Sequence, residues 1–189
     1  MAFRRSCGPP LRQSAPRALR IVAVGAVAPP LVERAAAMAR EVLWFAPTLV
    51  ATPADPTPFL DATRGQYRAD LMLVALRQAA APGERVLGIT ALDLCLPVLT
   101  FVYGFAELRG VAAVVSAHRL DPRFVGARRD HGLMLERLEK EVLHELGHLS
   151  GLTHCADRHC VMASAHDVGE IDLEEPSYCP DCRSRLTED

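Results

Sequence analysis

Apolar residues along this chain occur in two patterns, as short β-branched runs and as longer stretches with helical spacing. Five runs predict strands, at 18–27, 48–52, 85–94, 100–107 and 111–120. Two stretches predict helices, over 31–45 and 67–80. In the second helix, the predicted buried stripe comprises Leu71, Val74, Ala75 and Gln78. This order of elements indicates a layered domain of the α+β or α/β-like class.

A further helix is predicted over 131–150, and it carries the residues with the clearest chemistry. Asp130 is a suitable N-cap for it. Apolar side chains at intervals of three or four predict one buried face, formed by Leu135, Leu138, Val142, Leu146 and Leu149. Charged side chains fall mainly on the side predicted to be exposed, at Glu136, Arg137, Glu139 and Lys140. Beyond Gly151 the regular pattern ends, and the sequence predicts turns.

Residues 144–154 read HELGHLSGLTH, which is the zinc-protease pattern H-E-x-x-H-x-x-G-x-x-H. His144 and His148 lie four residues apart on a helix, so both can reach one metal ion. Gly151 can adopt a positive φ and turn the chain, which would bring back His154 as a third ligand. Three protein ligands leave one tetrahedral position open, as a catalytic zinc site requires. Glu145 would act on a water at that position without being a ligand.

The six cysteines suggest a second metal site. Cys7 and Cys95 stand apart, whereas four cluster near the end of the chain, at Cys155, Cys160, Cys179 and Cys182. Two such pairs predict a structural zinc held by four thiolates, which would stabilise a segment with little apolar core. Two disulfides or free thiols are the alternatives, and His159 and His166 are possible substitute ligands. Met162 is interpreted as the residue of a methionine turn beneath the catalytic metal, rather than as a core methionine.

Composition favours a folded globular protein. The 189 residues are 50% hydrophobic and 23% charged, with a net charge of −2. This balance argues against a nucleic-acid or anionic-membrane partner, because both require a basic surface. Residues 1–17 contain arginines and prolines but no apolar core, so we interpret them as a flexible leader rather than a signal peptide. Residues 18–189 then form a single domain, and we expect a cytoplasmic location.

The run HELGHLSGLTHC, followed by Cys160, Met162 and the CPDC motif, resembles the archaemetzincin family of metzincin zinc proteases. Upstream segments including VLGITALDL and FVYGFAEL are also similar, so the resemblance covers roughly residues 19–185. It implies a compact metzincin-like domain with a twisted mixed sheet. Residues 18–151 would form the upper part with the active-site helix, and 152–189 a small cysteine-rich zinc-binding subdomain. The spacing from Met162 to Cys179 is slightly shorter than is usual in the family.

The same resemblance implies two zinc ions per chain and a peptide or protein substrate. His144, His148 and His154 would bind the catalytic zinc, and Glu145 would be the general base for hydrolysis by a zinc-bound water. We expect substrate to lie along an edge strand above the zinc, and 111–120 is the candidate for that strand, with an ordinary core strand as the alternative interpretation of this segment. His118 and Arg119 are weaker candidate contacts. The alternative function is a zinc-stabilised binding or regulatory protein with little turnover. Nucleic-acid binding through the cysteine pairs is a third, opposed by the acidic residues between them. No oligomeric state is implied.

Overall fold

The computed structural model describes residues 16–186, which contain nine strands and five α-helices. The strands are β1 (Arg17–Val24), β2 (Phe45–Leu49), β3 (Leu60–Asp61), β4 (Gln66–Arg68), β5 (Arg85–Thr90), β6 (Leu94–Leu96), β7 (Leu99–Val102), β8 (Gly104–Ala106) and β9 (Ala112–Ser116). The helices are α1 (Pro29–Leu43), α2 (Ala69–Gln78), α3 (His131–Leu149), α4 (Val168–Leu173) and α5 (Pro180–Leu186). Most of the predicted leader, including Cys7, lies outside the described residues.

The larger sheet has the strand order β2-β1-β5-β9-β8. The first four strands are parallel, and β8 runs antiparallel to β9 at one edge. Alternate side chains of the sheet belong to two cores. Residues such as Ile21 and Val115 pack with α1 and α3, whereas Val22 and Val114 pack with α2. The sheet therefore lies between helices on both faces, which confirms the predicted α+β class and its mixed sheet.

Strand β9 is not the edge strand that was expected to bind substrate. All five of its residues, Ala112–Ser116, are buried, and it lies between β5 and β8. A short apolar run without alternation is typical of a central strand covered on both faces. The prediction of an edge strand at 111–120 is wrong, and its alternative, a core strand, is correct. The edge position belongs to β8.

The predicted stripe of α2 is also wrong. Leu71 and Val74 are 43% and 42% exposed, whereas Met72, Leu73 and Leu76 are buried against the sheet. The helix begins at Ala69, because the two residues before it belong to strand β4. The predicted strand over 100–107 is likewise two strands, β7 and β8, which belong to different sheets. Strand β2 begins at Phe45 rather than at residue 48.

The smaller sheet has the order β3-β4-β6-β7 and lies beside the larger one. Polar contacts link its strands to one another. The Arg64 guanidinium donates to the carbonyls of Leu96, Leu99 and Thr100 at 2.6–2.9 Å. This sheet brings Leu96 and Leu99 to the mouth of the cleft described below. Among residues 16–186, no helix combines the length and the apolar character needed to cross a membrane.

The segment after Gly151 contains two short helices, α4 and α5, where the sequence predicted only turns. Ile171 of α4 is fully buried against the main core. Arg137 and Lys140 of α3, predicted to be exposed, are only 5% and 7% exposed. They hold α4 in place, because Arg137 binds the Asp172 carboxylate at 2.6 and 2.7 Å and Lys140 Nζ donates to a carbonyl of α4 at 2.8 Å.

Candidate metal centre

Helix α3 presents the first two histidines of the motif. Asp130 caps its N-terminus, as predicted, by accepting a hydrogen bond from the Leu133 amide at 3.0 Å. Buried side chains on one face, among them Leu138, Val142 and Leu146, fix the helix against the sheet. On the face toward the cleft, the Nε2 atoms of His144 and His148 lie 3.0 Å apart. Two side chains four residues apart thus point to one place.

Gly151 makes the turn that brings in the third histidine. Its φ is +93°, a conformation that glycine adopts without steric cost. The His154 ring then lies 5.2 Å from the His144 ring and 5.1 Å from the His148 ring, measured between centroids. One ligand nitrogen from each of the three side chains lies within 4.8 Å of the others. The structure therefore brings together all three predicted ligands of the catalytic metal.

Hydrogen bonds prepare two of these imidazoles for a metal. The His144 Nδ1–H donates to the Val161 carbonyl and the His148 Nδ1–H to the Leu152 carbonyl, each at 2.8 Å. A carbonyl can only accept, so each Nε2 keeps its lone pair for a cation. Burial, with smaller effects from the neighbouring His148 and His154, lowers the pKa of His144 to about 3. Nitrogen ligands of a tetrahedral zinc would lie about 3.3 Å apart, which is close to the 3.0 Å between the Nε2 atoms of His144 and His148.

Glu145 lies beside the histidines and is almost completely buried, at 4% exposure. Its Oε2 has no hydrogen-bond partner among the residues described. Burial, and to a lesser extent the nearby Glu141, raises the pKa of this carboxyl well above 4.5. The side chain fits against β8 only because residue 104 is glycine, since a Cβ there would lie 2.6 Å from Glu145 Cγ. The carboxyl is thus held in place but unpaired.

Met162, for which the sequence predicted a methionine turn, packs against helix α3. It is fully buried, and its sulfur packs against the backbone of Gly147 so closely that a Cβ at residue 147 would overlap it. Tyr178 packs on the same spot and donates its hydroxyl hydrogen to the Leu143 carbonyl at 2.6 Å. Both side chains support α3 directly beneath the turn that carries His144 and His148.

The four clustered cysteines also converge, with their sulfur atoms within 4.8 Å of one another. Cys155 Sγ and Cys179 Sγ are 3.8 Å apart, and four thiolates on a tetrahedral zinc would be separated by about 3.8 Å. Cys160 Sγ accepts hydrogen bonds from the amides of Met162 and Cys179, at 3.5 and 3.3 Å. No disulfide forms among the five cysteines of residues 16–186. The sulfur geometry fits a closed metal site rather than two bridges.

The two clusters are joined through a short stretch of backbone. The Cys155 amide donates to the Met162 carbonyl at 2.8 Å, and a β-bridge links Cys155 to Ala163. Cys155 follows His154 directly in the chain. A metal held by the four sulfur atoms would therefore restrain both the third histidine and the methionine turn.

A cleft of about 440 Å³ opens over the histidines. Its walls are mainly apolar and come from both sheets, from α3 and from the segment after Met162: Leu96, Leu99, Val102, Tyr103, Gly104, Phe105, Ala106, Leu108, Thr153, Ala163 and Ala165. Its polar lining comes chiefly from the three histidines and from Glu141 and Glu145. The cleft is large enough for several residues of an extended peptide.

Several weaker candidates have structural contacts instead. Arg119 binds the Asp93 carboxylate at 2.6 and 2.9 Å, and its guanidinium packs 4.1 Å from the Phe101 ring centroid. His159 Nδ1–H donates to the Leu173 carbonyl, so this histidine is not part of the sulfur cluster. Neither His118 nor Arg119 lines the cleft, and Cys95 is a buried thiol, as expected.

Four residues that matter to the site were not singled out from the sequence: Gly104, Glu141, Gly147 and Tyr178. The spacing of Glu141, four residues before Glu145, is a signal that could have identified it, because both must share a helix face. Gly104 and Tyr178 gave no such signal, since each meets α3 from a distant part of the chain.

In the described part of the chain, Glu145 thus lies without a hydrogen-bond partner for Oε2 beside three histidines that can hold zinc, and this is the arrangement of a zinc metallopeptidase. Comparison with known proteins specifies the family. The model of peptidase family M54 matches residues 48–188. The archaemetzincin of Methanopyrus kandleri is 46% identical over 124 residues, which cover 65% of this chain and 67% of that protein. The chain belongs to peptidase family M54, the archaemetzincins.

Solved structures agree with this assignment. The crystal structure of the archaemetzincin from Methanopyrus kandleri superposes with a TM-score of 0.78 at 34% identity, covering 94% of this chain and 97% of that one. A zinc-dependent peptidase from Methanocorpusculum labreanum superposes with a TM-score of 0.72 at 26% identity, covering 89% and 99% of the two chains. The fold expected from the resemblance is thereby confirmed.

Proposed function

We propose that this protein hydrolyses peptide bonds at the three-histidine site, with Glu145 as the group that moves the proton. One observation carries this proposal: Oε2 of Glu145 is buried beside the histidines and has no hydrogen-bond partner within residues 16–186. Leaving a buried carboxylate oxygen unpaired is costly, and such groups are concentrated where a protein does chemistry. The acceptor is therefore kept available for a proton of the reacting molecules.

His144, His148 and His154 would hold the catalytic zinc through their ring nitrogens. Zinc at such a site acts as a Lewis acid and lowers the pKa of a coordinated water to about 7. Glu145 accepts a proton from the water whose oxygen attacks the carbonyl carbon. As the carbon–nitrogen bond breaks, the same carboxyl returns that proton to the leaving amine nitrogen. Gly104 lets the carboxyl sit against β8 throughout.

Cys155, Cys160, Cys179 and Cys182 would hold a second, structural zinc, so the proposal is two ions per chain. The fit of the sulfur positions to tetrahedral thiolate coordination supports this site. The hydrogen bond and β-bridge of Cys155 with residues 162 and 163 support its role in bracing His154. They also favour the predicted organisation, in which residues 152–189 complete one catalytic domain with 18–151.

An extended substrate would pair with strand β8. This strand lies at the edge of the larger sheet, and all three of its residues line the cleft. An edge strand offers backbone donors and acceptors on its open side, to which an extended peptide can add as a further strand. Gly104 contacts Glu145, so a peptide on β8 would pass directly over the reacting groups.

The experiment is cleavage of a diverse peptide library, read by mass spectrometry, with zinc-loaded wild type and Glu145→Ala side by side. We expect cuts with wild type, none with Glu145→Ala, and equal zinc content in both proteins. Full activity of the variant would refute the role of Glu145. Absence of cuts with folded, zinc-loaded wild type would contradict the proposal and favour a zinc-stabilised binding protein.

A further inference from the structure

The cleft contains a second buried carboxyl that the proposed reaction does not use. Glu141 lies four residues before Glu145 on α3, lines the same cleft and is only 6% exposed. Within residues 16–186, no hydrogen bond or ion pair reaches its carboxyl, and its oxygens are not among the fully buried unpartnered atoms, so they open into the cleft. Burial raises the pKa of this carboxyl to about 8, and a cation bound beside it would favour the charged form.

The nearby cations are committed elsewhere. Arg137, one turn earlier on the helix, binds Asp172, and the Lys140 ammonium binds the Ile171 carbonyl. Glu145, the buried Glu174 and the cleft residue Tyr103 interact electrostatically with Glu141. Apart from a zinc ion at the histidines, the described side chains therefore supply no positive charge that is paired with this carboxyl.

The rest of the cleft explains which kind of group could supply that charge. Glu141 faces a space walled mainly by small or apolar side chains, among them Val102, Ala163 and Ala165. Such walls accept the methylene groups of a long side chain, while an acid at their end selects a positive charge. A peptide contains two such groups, a lysine or arginine side chain and a free amino terminus.

We infer that Glu141 is a specificity-determining residue that binds a positively charged group of the substrate inside the cleft. This inference rests on the proposed peptidase function and adds the substrate class, peptides that present a cation next to the bond to be cut. The charged hydrogen bond formed there would favour such peptides over isosteric neutral ones by about tenfold to a hundredfold.

The test uses matched peptides around one library cut site, with lysine or norleucine at each position, each with a free or an acetylated amino terminus. For zinc-loaded wild type we expect at least one pair in which kcat/KM is about tenfold to a hundredfold higher for the cationic peptide than for its neutral partner. A preference for lysine would identify a side chain as the ligand, and a loss on acetylation would identify the amino terminus. Equal rates for every pair would overturn the inference while leaving the proposed function intact.

Two variants assign the preference to a residue. Glu141→Gln preserves shape and removes the charge, so we expect the ratio of cationic to neutral rates to fall to near one. Glu136→Gln, on the exposed part of the same helix, is the matched control and should keep the wild-type ratio. An unchanged ratio in Glu141→Gln would refute the assignment even if wild type prefers cations.

A binding measurement separates this inference from turnover. Fluorescence anisotropy of the same labelled peptides on zinc-loaded Glu145→Ala, with and without Glu141→Gln, needs no cleavage. We expect the cationic peptides to bind about tenfold or more tightly, and only while Glu141 is present. If wild type cuts nothing but this difference is found, the proposed function fails and the cation site stands. Equal affinities would overturn the cation site.

Discussion

Around α3, the size of individual residues matters as much as their chemistry. Gly147 lies between His144 and His148 on the helix and contacts both Met162 and Tyr178. Any larger side chain there would have to displace the buried methionine or tilt the helix. Because His144 and His148 lie on this helix and His154 follows the turn at Gly151, a small tilt would move the first two rings away from the third. The position thus links core packing to metal geometry.

Gly147→Ala should therefore lower both stability and metal affinity. Overpacking a buried contact of this kind costs about 1–3 kcal/mol. Gly132→Ala, near the exposed start of the same helix, is the control and should be neutral or stabilising by up to about 1 kcal/mol. Urea unfolding of the two zinc-loaded variants, together with zinc analysis, provides the comparison. Equal stability of both variants would show that Met162 adjusts freely and that its position is not constrained.

The chemistry of the motif residues could be predicted from sequence because their spacing is local. His144, Glu145 and His148 follow from one helix, and Gly151 accounts for His154 through a single turn. The contacts of Gly104 and Tyr178 could not be predicted, because each depends on a segment more than 30 positions away in the chain. The unpaired state of Glu141 likewise depends on where Arg137 and Lys140 find their partners.

At the scale of elements, a partly buried ion pair joins the smaller sheet to the loop after β9. Asp93, just before β6, binds Arg119 and also accepts a hydrogen bond from Gln66 of β4 at 2.9 Å. Burial alone would raise the pKa of Asp93, but the hydrogen bonds from Arg119 and Gln66 outweigh it and lower the pKa below 3.8. These contacts fix the sheet whose residues Leu96 and Leu99 form one side of the cleft.

Asp93→Asn should destabilise the protein in a pH-dependent way. A folded-state pKa below the unfolded value means that the stabilisation is fully present above the unfolded pKa of about 3.9 and is lost as the pH falls through the folded value. We expect a loss of about 1–3 kcal/mol at neutral pH that shrinks toward pH 3. Arg123→Gln, which breaks an exposed pair with Asp121, should cost less than about 1 kcal/mol. Urea unfolding of wild type and both variants from neutral pH down to pH 3 would test this prediction. A stability difference between wild type and Asp93→Asn that does not change with pH would contradict it.

The sequence predicted the positions of the helices and strands better than it predicted which of their faces are buried. Helix α2 is apolar on most sides, so two different stripes have helical spacing, and only packing against the sheet selects the one with Met72 and Leu76. Strand order is also invisible in a single sequence. The continuous apolar run of β9 is typical of a central strand, which was only the alternative in the prediction, and the edge position of β8 follows once β9 is placed between its neighbours.

At the scale of the whole molecule, the two clusters of candidate metal ligands share one short segment. Residues 154–163 contain a histidine of the first site, two cysteines of the second and Met162. Several buried side chains of this terminal part pack into the main core, among them Val161, Met162, Ile171 and Tyr178. A structural metal would add to these contacts further free energy that orders the segment.

Zinc analysis of two variants would test whether each cluster binds its own metal ion. His148→Ala should retain one zinc per chain with near-wild-type thermal stability, because the sulfur site is intact. Cys182→Ser should lose the structural ion, lower the melting temperature and weaken binding at the histidines through the shared segment. One zinc in wild type, or two in either variant, would contradict the two-site account.

The most direct test of the central claim is the turnover of one peptide by Glu145→Gln, with the zinc content measured on the same sample. This variant keeps the shape of the side chain but cannot accept the proton. General acid–base groups contribute about a hundredfold to ten-thousandfold. The account predicts a loss of kcat of at least a hundredfold in that range, with wild-type zinc content. Wild-type turnover by a fully loaded Glu145→Gln protein would contradict it.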